Sequence, residues 1–442
     1  MAPYWCVVNV LVTGQCTLHW GRLEYGNIGN AYIVEPLFAG LRRVFPDANV
    51  RTTFQMSDGF LHRHRVESLP RELYFGDPHP GRASAWEELR TAELLAEGRL
   101  GASTPYIDEV ARADLVLDFS GDMWGDNADL AGADRFEIGL LKDRVAQVLG
   151  KRAALIAGSP GPFSRSGLLD LARTTYAGFD LVVNREAVST RLLTASGFDM
   201  GSTVTVACPS VLFEPAPVDE ADAALRDAHV DPHTGAAPLV GMTICGWNFA
   251  QGPFDRPLRR PKEFAPFIEV ARAIADDLGA RVCLFSHANG FDPAASRFEL
   301  LHGRDFPIVA ELHRLLTERS SGSGVTLLQG VYPPPLMKAI LGRFDMLVTG
   351  RVHAAVGALS QCVPTVVIDY GHEPVAHKLR GFADLFGVAD AVVSPHDVEA
   401  MVRGVTATFR ARERIRARLQ DVAPEVATAS ARQFDLIAGL ML

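Results

Sequence analysis

An arginine and a histidine, two residues apart, occupy the position in this chain that is best suited to chemistry. Arg351 and His353 follow the apolar run Phe344–Val348 and precede the small-residue run Ala354–Leu359. This order predicts a buried strand, a tight turn and a helix that begins beside both side chains. Turns of this kind hold anions in α/β sheets, and a guanidinium beside an imidazole suits a small acidic substrate that must also receive a proton. The alternative interpretation is that Arg351 pairs with a nearby acid and His353 caps the helix.

Other groups suited to anions follow other predicted strands. Arg185 ends an apolar strand, where a guanidinium can grip a phosphate or carboxylate with two hydrogen bonds, unless it pairs with Glu186. Ser159 lies in a glycine- and proline-rich loop, 157–163, whose backbone N–H groups can cradle an oxyanion. Lys378 belongs to a polar segment beyond a strand near the C-terminus. These residues extend the predicted anion-binding surface.

A glycine-containing turn, Gly26–Asn30, lies between the first predicted strand and the first predicted helix. Its glycines let backbone groups approach a ligand, and Asn30 can cap the helix. The spacing matches neither a dinucleotide fingerprint nor a P-loop. A ligand-binding turn and a simple turn with an asparagine cap both remain open.

A second polar loop follows the strand predicted over Leu115–Phe119. Asp122 and Asn127 supply acceptors for hydroxyl groups, and Trp124 offers an apolar face, a combination that suits a sugar. The carboxylates of Asp122 and Asp126 can alternatively hold a metal ion, although no histidine pattern supports that. The remaining alternative is a loop whose acids only cap the backbone.

Composition excludes several classes of protein. The chain has 442 residues, of which 48% are hydrophobic and 21% charged, and a net charge of −9. That charge disfavours a nucleic-acid surface, and no apolar run is long enough for a membrane span. The six cysteines show no metal-ligand spacing and lie mostly in apolar runs, which predicts buried, reduced thiols and a cytoplasmic protein.

Strand and helix patterns alternate in two series, which predicts an α/β fold of two Rossmann-like domains with parallel sheets facing across a cleft. We expect an N-terminal domain over 1–215, with an irregular insertion at about 55–112, and a crossover over 216–238. A C-terminal domain over 239–420 and a helix over 421–442 that packs back on the N-terminal domain complete the prediction.

In their order, the motifs of this chain resemble those of the polysaccharide pyruvyl transferase family. The most specific is the block around Arg351 and His353 with its following strand. The companion motifs are Gly26-Asn27-Ile28-Gly29-Asn30, Ser120-Gly121-Asp122-Met123-Trp124, Ser159-Pro160-Gly161-Pro162, Asn184-Arg185-Glu186 and Cys208-Pro209-Ser210. The chain departs from the usual pattern at Asn30, at Ser120, at 208–210 and in the placing of Lys378.

This resemblance implies a GT-B-like fold and an enzyme that uses phosphoenolpyruvate as donor. The product would be a pyruvate ketal across two hydroxyls of a sugar or glycan, with release of phosphate. Neither a metal nor a further cofactor is implied, and the oligomeric state, including a homo-oligomer, stays open. A GT-B-type glycosyltransferase that uses a nucleotide sugar is the main alternative, and a non-catalytic two-domain binder is the other.

Roles for individual residues follow from the resemblance. We expect His353 to act as general acid and Arg351 to act with it in catalysis. The expected donor-binding residues are Arg185, Arg351, Lys378 and Ser159. The expected acceptor-binding residues are Asn27, Gly29, Asp122 and Asn127.

Overall fold

The chain folds into two compact units, as seen in a computed structural model that describes residues 7–15, 26–75, 81–99, 103–230, 237–251, 259–291, 299–319, 324–370 and 377–442. Unit 1 comprises Met1–Leu23, Leu37–Cys208 and Ala429–Leu442, and unit 2 comprises Glu24–Pro36 and Pro209–Thr428. The division therefore falls inside the first and the last helices of the chain.

Unit 1 is built on a parallel sheet of seven strands in the order β3-β2-β1-β4-β5-β6-β7. The strands are β1 Asn9–Thr13, β2 Asn49–Thr52, β3 Val66–Ser68, β4 Leu115–Asp118, β5 Arg152–Gly158, β6 Leu181–Asn184 and β7 Thr203–Thr205. The strand order reverses between β1 and β4, so the carboxyl ends of these two strands mark the point where such sheets bind ligands.

Helices connect these strands and cover the sheet. They are α1 Ile28–Val44, α2 Asp58–His64, α3 Glu72–Phe75, α4 Arg82–Ala96, α5 Pro105–Arg112, α6 Arg135–Val148, α7 Ser166–Ala177 and α8 Ala187–Ala195. Local signals set several of their ends. The Thr104 hydroxyl, for example, accepts from the Ile107 N–H and Pro105 takes the first position of α5, the usual start of a capped helix.

Unit 2 repeats the plan with a parallel sheet of six strands in the order β12-β9-β8-β13-β14-β15 and a separate antiparallel pair, β10 and β11. The strands are β8 Leu239–Thr243, β9 Arg281–Leu284, β10 Asn289–Phe291, β11 Leu300–His302, β12 Val325–Leu327, β13 Met346–Thr349, β14 Thr365–Ile368 and β15 Val392–Val393. Here the order reverses between β8 and β13, directly before Arg351.

The helices of the second half are α9 Val218–Asp227, α10 Ala265–Arg272, α11 Phe306–Arg319, α12 Pro334–Leu341, α13 Val352–Leu359, α14 His377–Leu385, α15 Val398–Arg410 and α16 Arg412–Gly439. Buried apolar side chains from both faces of each sheet form the cores. Strands with both faces buried explain why β4, β6, β13 and β14 read as continuous apolar runs.

The predicted fold class, α/β with two Rossmann-like parallel sheets, is confirmed. The described residues of 55–112 are not irregular, because they hold β3 and α2 to α5, and apolar side chains of α3, α4 and α5 join the core of unit 1. The crossover predicted over 216–238 contains α9, which packs on α12 within unit 2. Part of α16, from Ala429 onward, belongs to unit 1.

Cys208, Cys245 and Cys283 are buried free thiols and Cys362 is partly buried, whereas Cys6 and Cys16 lie outside the described residues. Among the helices that the structure describes, none is both long and apolar enough to cross a membrane.

Candidate functional site

Arg351 lies at the carboxyl end of β13, immediately before α13, where the strand order of unit 2 reverses. Its Nε donates to Asp305 Oδ2 at 2.8 Å and its second nitrogen donates to Asp305 Oδ1. The Asp305 side chain is 0% exposed and that of Arg351 is 13% exposed. Burial alone would lower the pKa of the guanidinium, but Asp305, assisted by Cys245 and Tyr370, raises it above its ordinary value. Arg351 is therefore a fixed, permanently charged cation.

A buried asparagine ties the strand ends around Arg351 together. The Asn248 carboxamide accepts from the Cys245 N–H at 2.9 Å and donates to the carbonyls of Ile368 and Asp369 at 3.2 Å each. A Cβ on Gly350 would overlap this carboxamide, so glycine is required there. The ends of β8, β13 and β14 are thereby held in one fixed arrangement.

His353 lies in the first turn of α13 against the beginning of α1. An added Cβ at Gly29 would lie 2.7 Å from His353 Cγ, so the imidazole occupies the space that a side chain at this position would fill. The Asn27 side-chain oxygen accepts from the Gly29 N–H at 3.1 Å, and the Asn27 carbonyl accepts from the Asn30 N–H at 2.8 Å. The cap of α1 is thus Asn27, and the expectation that Asn30 caps this helix is wrong.

The loop after β9 brings a second histidine to this part of unit 2. Asn27 bridges to Ala288, and the Asn289 N–H donates to the Gly26 carbonyl at 3.0 Å, so the loop is pinned to the start of α1. Within this loop His287 is fully buried, and its ring meets that of Tyr32 edge to face with centroids 5.5 Å apart. Burial, and then the charge of Arg351, lowers the pKa of His287 to about 3.

Lys378 lies beside a pair of aromatic rings at the same end of the sheet. Its Nζ is 5.7 Å from the centroid of the Tyr370 ring, and Tyr370 stacks on Trp247 with centroids 5.7 Å apart. Trp247 follows β8 and Tyr370 follows β14, and these two strands lie on either side of β13 in the sheet. Lys378 therefore belongs to the same end of the unit 2 sheet as Arg351.

The predicted residues of unit 1 form a separate group. The Arg185 Nε donates to Ser159 Oγ at 2.8 Å, and its guanidinium lies 3.7 Å from Asp122 Oδ1. The pairing of β5 with β6 shifts register between Leu155 and Gly158, at the end of β5 that directly precedes Ser159. The Arg185 side chain is only 2% exposed. Its described contacts are with the side chains of Ser159 and Asp122.

The pairing of Arg185 with Glu186, raised above as an alternative, is not the arrangement found. The Glu186 carboxylate instead caps α8 by accepting from the Ser189 N–H at 2.9 Å and from the Ser189 hydroxyl.

The loop after β4 holds Asp122 and Asn127 together, since the Asn127 amide donates to the Asp122 carbonyl at 3.2 Å. Asp126 instead accepts from the N–H and hydroxyl of Ser164. The expectation that Trp124 offers an apolar face to a sugar is wrong, because Trp124 is 2% exposed and packs among core aromatic rings. A side chain with as much apolar area as that of Trp124 tends to be buried, but the sequence around this loop did not indicate that burial.

The indole of Trp124 reaches a pair of buried acids. Its Nε1 donates to Asp143 Oδ2 at 3.1 Å, and Asp143 and Asp118 share a side-chain hydrogen bond. Burial raises the pKa of Asp118 to about 6, and burial together with the charge of Asp118 raises that of Asp143 well above its usual range. A carboxylic acid at Asp143 that donates to Asp118 accounts for this contact.

The predicted site residues therefore fall into two groups, and the expected donor and acceptor sets are each divided between them. Unit 1 brings together Asp122, Asn127, Ser159 and Arg185. Unit 2 brings Asn27 and Gly29 to His353 and places Arg351 and Lys378 at one end of its sheet. Within the described part of the chain, no group of three or more histidine, cysteine, aspartate or glutamate residues is arranged to hold a metal ion.

Several groups at these sites escaped sequence reasoning. Asp305 lies just before α11, Trp247 and Asn248 lie in the short 3-10 helix Gly246–Asn248, and His287 lies in the loop after β9, and none of them belongs to a recognisable motif. Each gains its importance from a partner distant in sequence, such as the 46-residue separation of Arg351 and Asp305.

Comparison with known proteins gives a family and a fold. A family model described as polysaccharide pyruvyl transferase matches residues 27–372. No curated protein sequence matches the chain at a significant level.

Solved structures resemble the chain over nearly its whole length. The Anabaena protein HepE in complex with UDP has a TM-score of 0.58 at 12% identity and covers 98% of this chain and 100% of its own. A glycosyltransferase from Rickettsia africae has a TM-score of 0.57 at 9% identity, with 99% of each chain covered. A UDP-GlcNAc 2-epimerase from Neisseria meningitidis, bound to UDP-GlcNAc, has a TM-score of 0.53 at 12% identity over 97% of this chain and 99% of its own. At these identities the likeness concerns the fold, which is GT-B-like.

Proposed function

The chain belongs to the polysaccharide pyruvyl transferase family, and on that premise we propose that it transfers the enolpyruvyl group of phosphoenolpyruvate to two hydroxyls of a sugar or glycan, forming a pyruvate ketal and releasing phosphate. The observation that carries the proposal is the guanidinium of Arg351, locked by the buried Asp305 at the strand-order reversal of unit 2, with His353 two residues further on.

Phosphoenolpyruvate carries a carboxylate and a phosphate, and both need cationic partners. Arg351 supplies a preorganised cation whose position is fixed by two bonds to Asp305. A group that does not reorganise during the reaction is the most effective kind of electrostatic stabiliser. Lys378 supplies a second cation at the same end of the sheet, and we assign it to the other anionic group of the donor.

His353 is assigned to the proton transfers. Ketal formation begins when a proton moves from the imidazolium to the CH2 carbon of the enol, which leaves an oxocarbenium-like centre at the neighbouring carbon. A sugar hydroxyl attacks that centre and returns its proton to the imidazole. The C–O bond to phosphate then breaks, the second hydroxyl attacks the same carbon, and its proton leaves with phosphate.

Asp122 and Asn127 of unit 1 keep their predicted acceptor-binding role, and within unit 2 Asn27 and Gly29 keep theirs. Asp122 and Asn127 offer oxygen and amide groups to sugar hydroxyls. Arg185 was expected to bind the donor, but its burial and its contacts with Ser159 and Asp122 favour a positioning role. Arg185 would fix the orientation of both side chains, and Ser159 would present its hydroxyl beside Asp122.

The direct test measures phosphate release from phosphoenolpyruvate in the presence of a panel of hexosides and glycans, with donor binding followed by thermal shift. Replacement of His353 with Gln should lower the turnover rate by roughly 10²- to 10⁴-fold while the thermal shift with phosphoenolpyruvate persists. A folded wild-type protein that neither binds phosphoenolpyruvate nor releases phosphate would rule out the proposal.

A nucleotide-sugar transferase is the second candidate, favoured by the whole-length fold likeness to HepE, whose structure contains UDP. Thermal shift with UDP- and GDP-sugars separates the two candidates. Stabilisation by a nucleotide sugar, without any by phosphoenolpyruvate, would favour this candidate.

A further inference from the structure

Two loops at the carboxyl edge of the unit 1 sheet are bonded to each other. One, 119–134, follows β4, and the other, 159–165, follows the neighbouring strand β5. Backbone N–H groups donate between the loops at 3.2, 2.9 and 2.9 Å, from Ser159 to Gly121, from Gly161 to Trp124 and from Asp126 to Pro162. A Cβ on Gly125 would lie 2.7 Å from the Gly161 Cα, so glycine permits this close approach. The two loops therefore form a single layer beside the strand-order reversal of unit 1.

Arg165 joins the end of the second loop to two carboxylates of the first. Its Nη2 lies 2.6 Å from Asp129 Oδ2, and its Nε lies 3.6 Å from Asp126 Oδ1. The other oxygen of Asp126 accepts from the N–H and the hydroxyl of Ser164, the residue before Arg165. One guanidinium thus fixes two points of the first loop, and we call Arg165, Asp126 and Asp129 the loop clamp.

The loop clamp encloses Asn127, one of the expected acceptor-binding residues. Asp126 directly precedes Asn127 in the chain, and Asp129 follows it by two positions. The second oxygen of Asp129 accepts from the Phe136 N–H at 3.1 Å, at the start of α6, so Asp129 is held from two sides. The backbone on both sides of Asn127 is therefore fixed by contacts in which its own side chain takes no part.

The side chain of Asn127 offers an oxygen to a ligand. Its amide nitrogen donates to the Asp122 carbonyl at 3.2 Å, which sets the orientation of the carboxamide. The carboxamide oxygen accepts no hydrogen bond from the residues that the structure describes. Such an oxygen has two lone pairs, and a sugar hydroxyl is a matching donor. A sugar hydroxyl can therefore bind Asn127 without displacing a contact of the loop.

We propose that Arg165 is a positioning residue for the sugar acceptor, because it clamps the two loops together and so fixes the side-chain oxygen of Asn127 for a sugar hydroxyl. The inference rests on the proposed function, in which Asp122 and Asn127 bind the acceptor, and adds a residue that controls the affinity of that site. A loop that is already ordered loses less conformational entropy when a ligand binds, which raises affinity without a new contact.

The experiment uses the full-length protein, with methyl β-galactoside, methyl β-glucoside and methyl α-mannoside as acceptor probes. Kinetic constants for hexoside and phosphoenolpyruvate are measured separately, hexoside affinity is measured by calorimetry, and thermal melting reports on folding. The variants are Arg165→Gln, Arg165→Lys, Asp129→Asn and the double variant of Arg165→Gln with Asp129→Asn, in which asparagine keeps an oxygen for the Phe136 N–H. The matched control is Arg152→Gln, which removes an arginine–aspartate pair at the opposite end of β5.

Arg165→Gln should raise KM for the hexoside by roughly tenfold, with KM for phosphoenolpyruvate and the melting temperature nearly unchanged. Asp129→Asn should have a similar effect. The double variant should resemble either single variant, because both substitutions break the same clamp and effects within one network are not additive. Arg165→Lys should be intermediate, since an ammonium keeps the charge but lacks the planar fork that reaches both carboxylates. Arg152→Gln should match the wild type.

An unchanged KM for the hexoside in Arg165→Gln would overturn the inference. A roughly hundredfold rise in the double variant would also overturn it, since independent effects are expected if Arg165 itself touches the sugar. Equal rises in both KM values, with a lower melting temperature, would indicate a merely structural role.

Failure of the proposed function is distinguishable from failure of the clamp. If the wild type releases no phosphate from phosphoenolpyruvate, the proposed function fails, and calorimetry with the hexosides then decides the role of Arg165. A loss of hexoside affinity in Arg165→Gln but not in Arg152→Gln would support the clamp. Equal affinities in these two variants, or no hexoside binding by the wild type, would overturn it.

Discussion

Gly29 and His353 occupy the same small volume, since a Cβ built on Gly29 would lie 2.7 Å from His353 Cγ. The absence of a side chain at the start of α1 is what allows the imidazole to lie there. The helix that carries Gly29 and the helix that carries His353 thereby fix the ring on which the proposed proton transfer depends.

The substitution Gly29→Ala should therefore displace the His353 ring. We expect turnover to fall by roughly 10- to 100-fold, because small misplacements of a catalytic group are costly. An alanine in a helix would otherwise stabilise it by about 0.5–1 kcal/mol. Steady-state kinetics and thermal melting measure the two effects. Gly59→Ala in α2, where an added Cβ meets nothing within 4 Å, is the control and should leave activity unchanged. Wild-type turnover in Gly29→Ala would contradict the assignment of His353.

The buried pair of Arg351 and Asp305 should be sensitive to loss of either charge. Asp305→Asn leaves the guanidinium without its counter-ion, and breaking a buried pair costs about 3–5 kcal/mol. We expect the free energy of unfolding in urea to fall by an amount of this order and phosphoenolpyruvate binding to weaken, because Arg351 is no longer held. Glu399→Gln, which removes the exposed partner of Arg403, is the control and should change stability little. Equal behaviour of the two variants would show that the buried pair is unimportant.

The acid pair Asp118 and Asp143 predicts an unusual dependence of stability on pH. Burial raises the pKa of Asp118 to about 6, and that of Asp143 is also raised, so the folded protein keeps protons that the unfolded chain releases near pH 4. Stability from this pair is thus complete below about pH 4 and declines as pH rises toward 6, by an amount on the order of 2–3 kcal/mol for Asp118.

Asp143→Asn keeps an N–H donor toward Asp118 and an oxygen for the Trp124 indole without needing the proton. We expect it to gain stability relative to the wild type as pH rises from 4 to 7, as measured by urea unfolding. Asp170→Asn, at a side chain that is 93% exposed, is the control. A constant difference between wild type and Asp143→Asn across this range would count against a shared proton.

The contribution of His287 to folding stability is expected to change with pH in the opposite direction. Burial and Arg351 lower its pKa to about 3, so the folded protein excludes a proton that the unfolded chain accepts near pH 6.5. The stability associated with the neutral ring is present above that pH and is lost as pH falls toward 3. His287→Phe should therefore lose less stability than the wild type between pH 6.5 and 4, with unfolding measured at each pH. His396→Phe, at an exposed position, controls for removal of an imidazole. Parallel losses in wild type and His287→Phe would contradict this account.

The sequence by itself determined the elements and their alternation. The apolar run before Arg185 predicted a strand, and β6 is found there over Leu181–Asn184. The turn before α13 could be predicted because a strand, a glycine and a small-residue helix are consecutive, and hydrophobic periodicity encodes such local order. The region 55–112 was misjudged because its prolines and glycines read as loop, although its apolar positions join the core.

Only the tertiary structure decided which side chains meet. It gave Arg351 a partner 46 residues away in Asp305, placed Asn27 as a cap beside His353, buried Trp124 and stacked Trp247 on Tyr370. It also divided the expected donor and acceptor residues between the ends of two sheets. The physical reason is that residue type and periodicity fix the local backbone, whereas ion pairs, ring contacts and burial depend on how distant strands are ordered in a sheet.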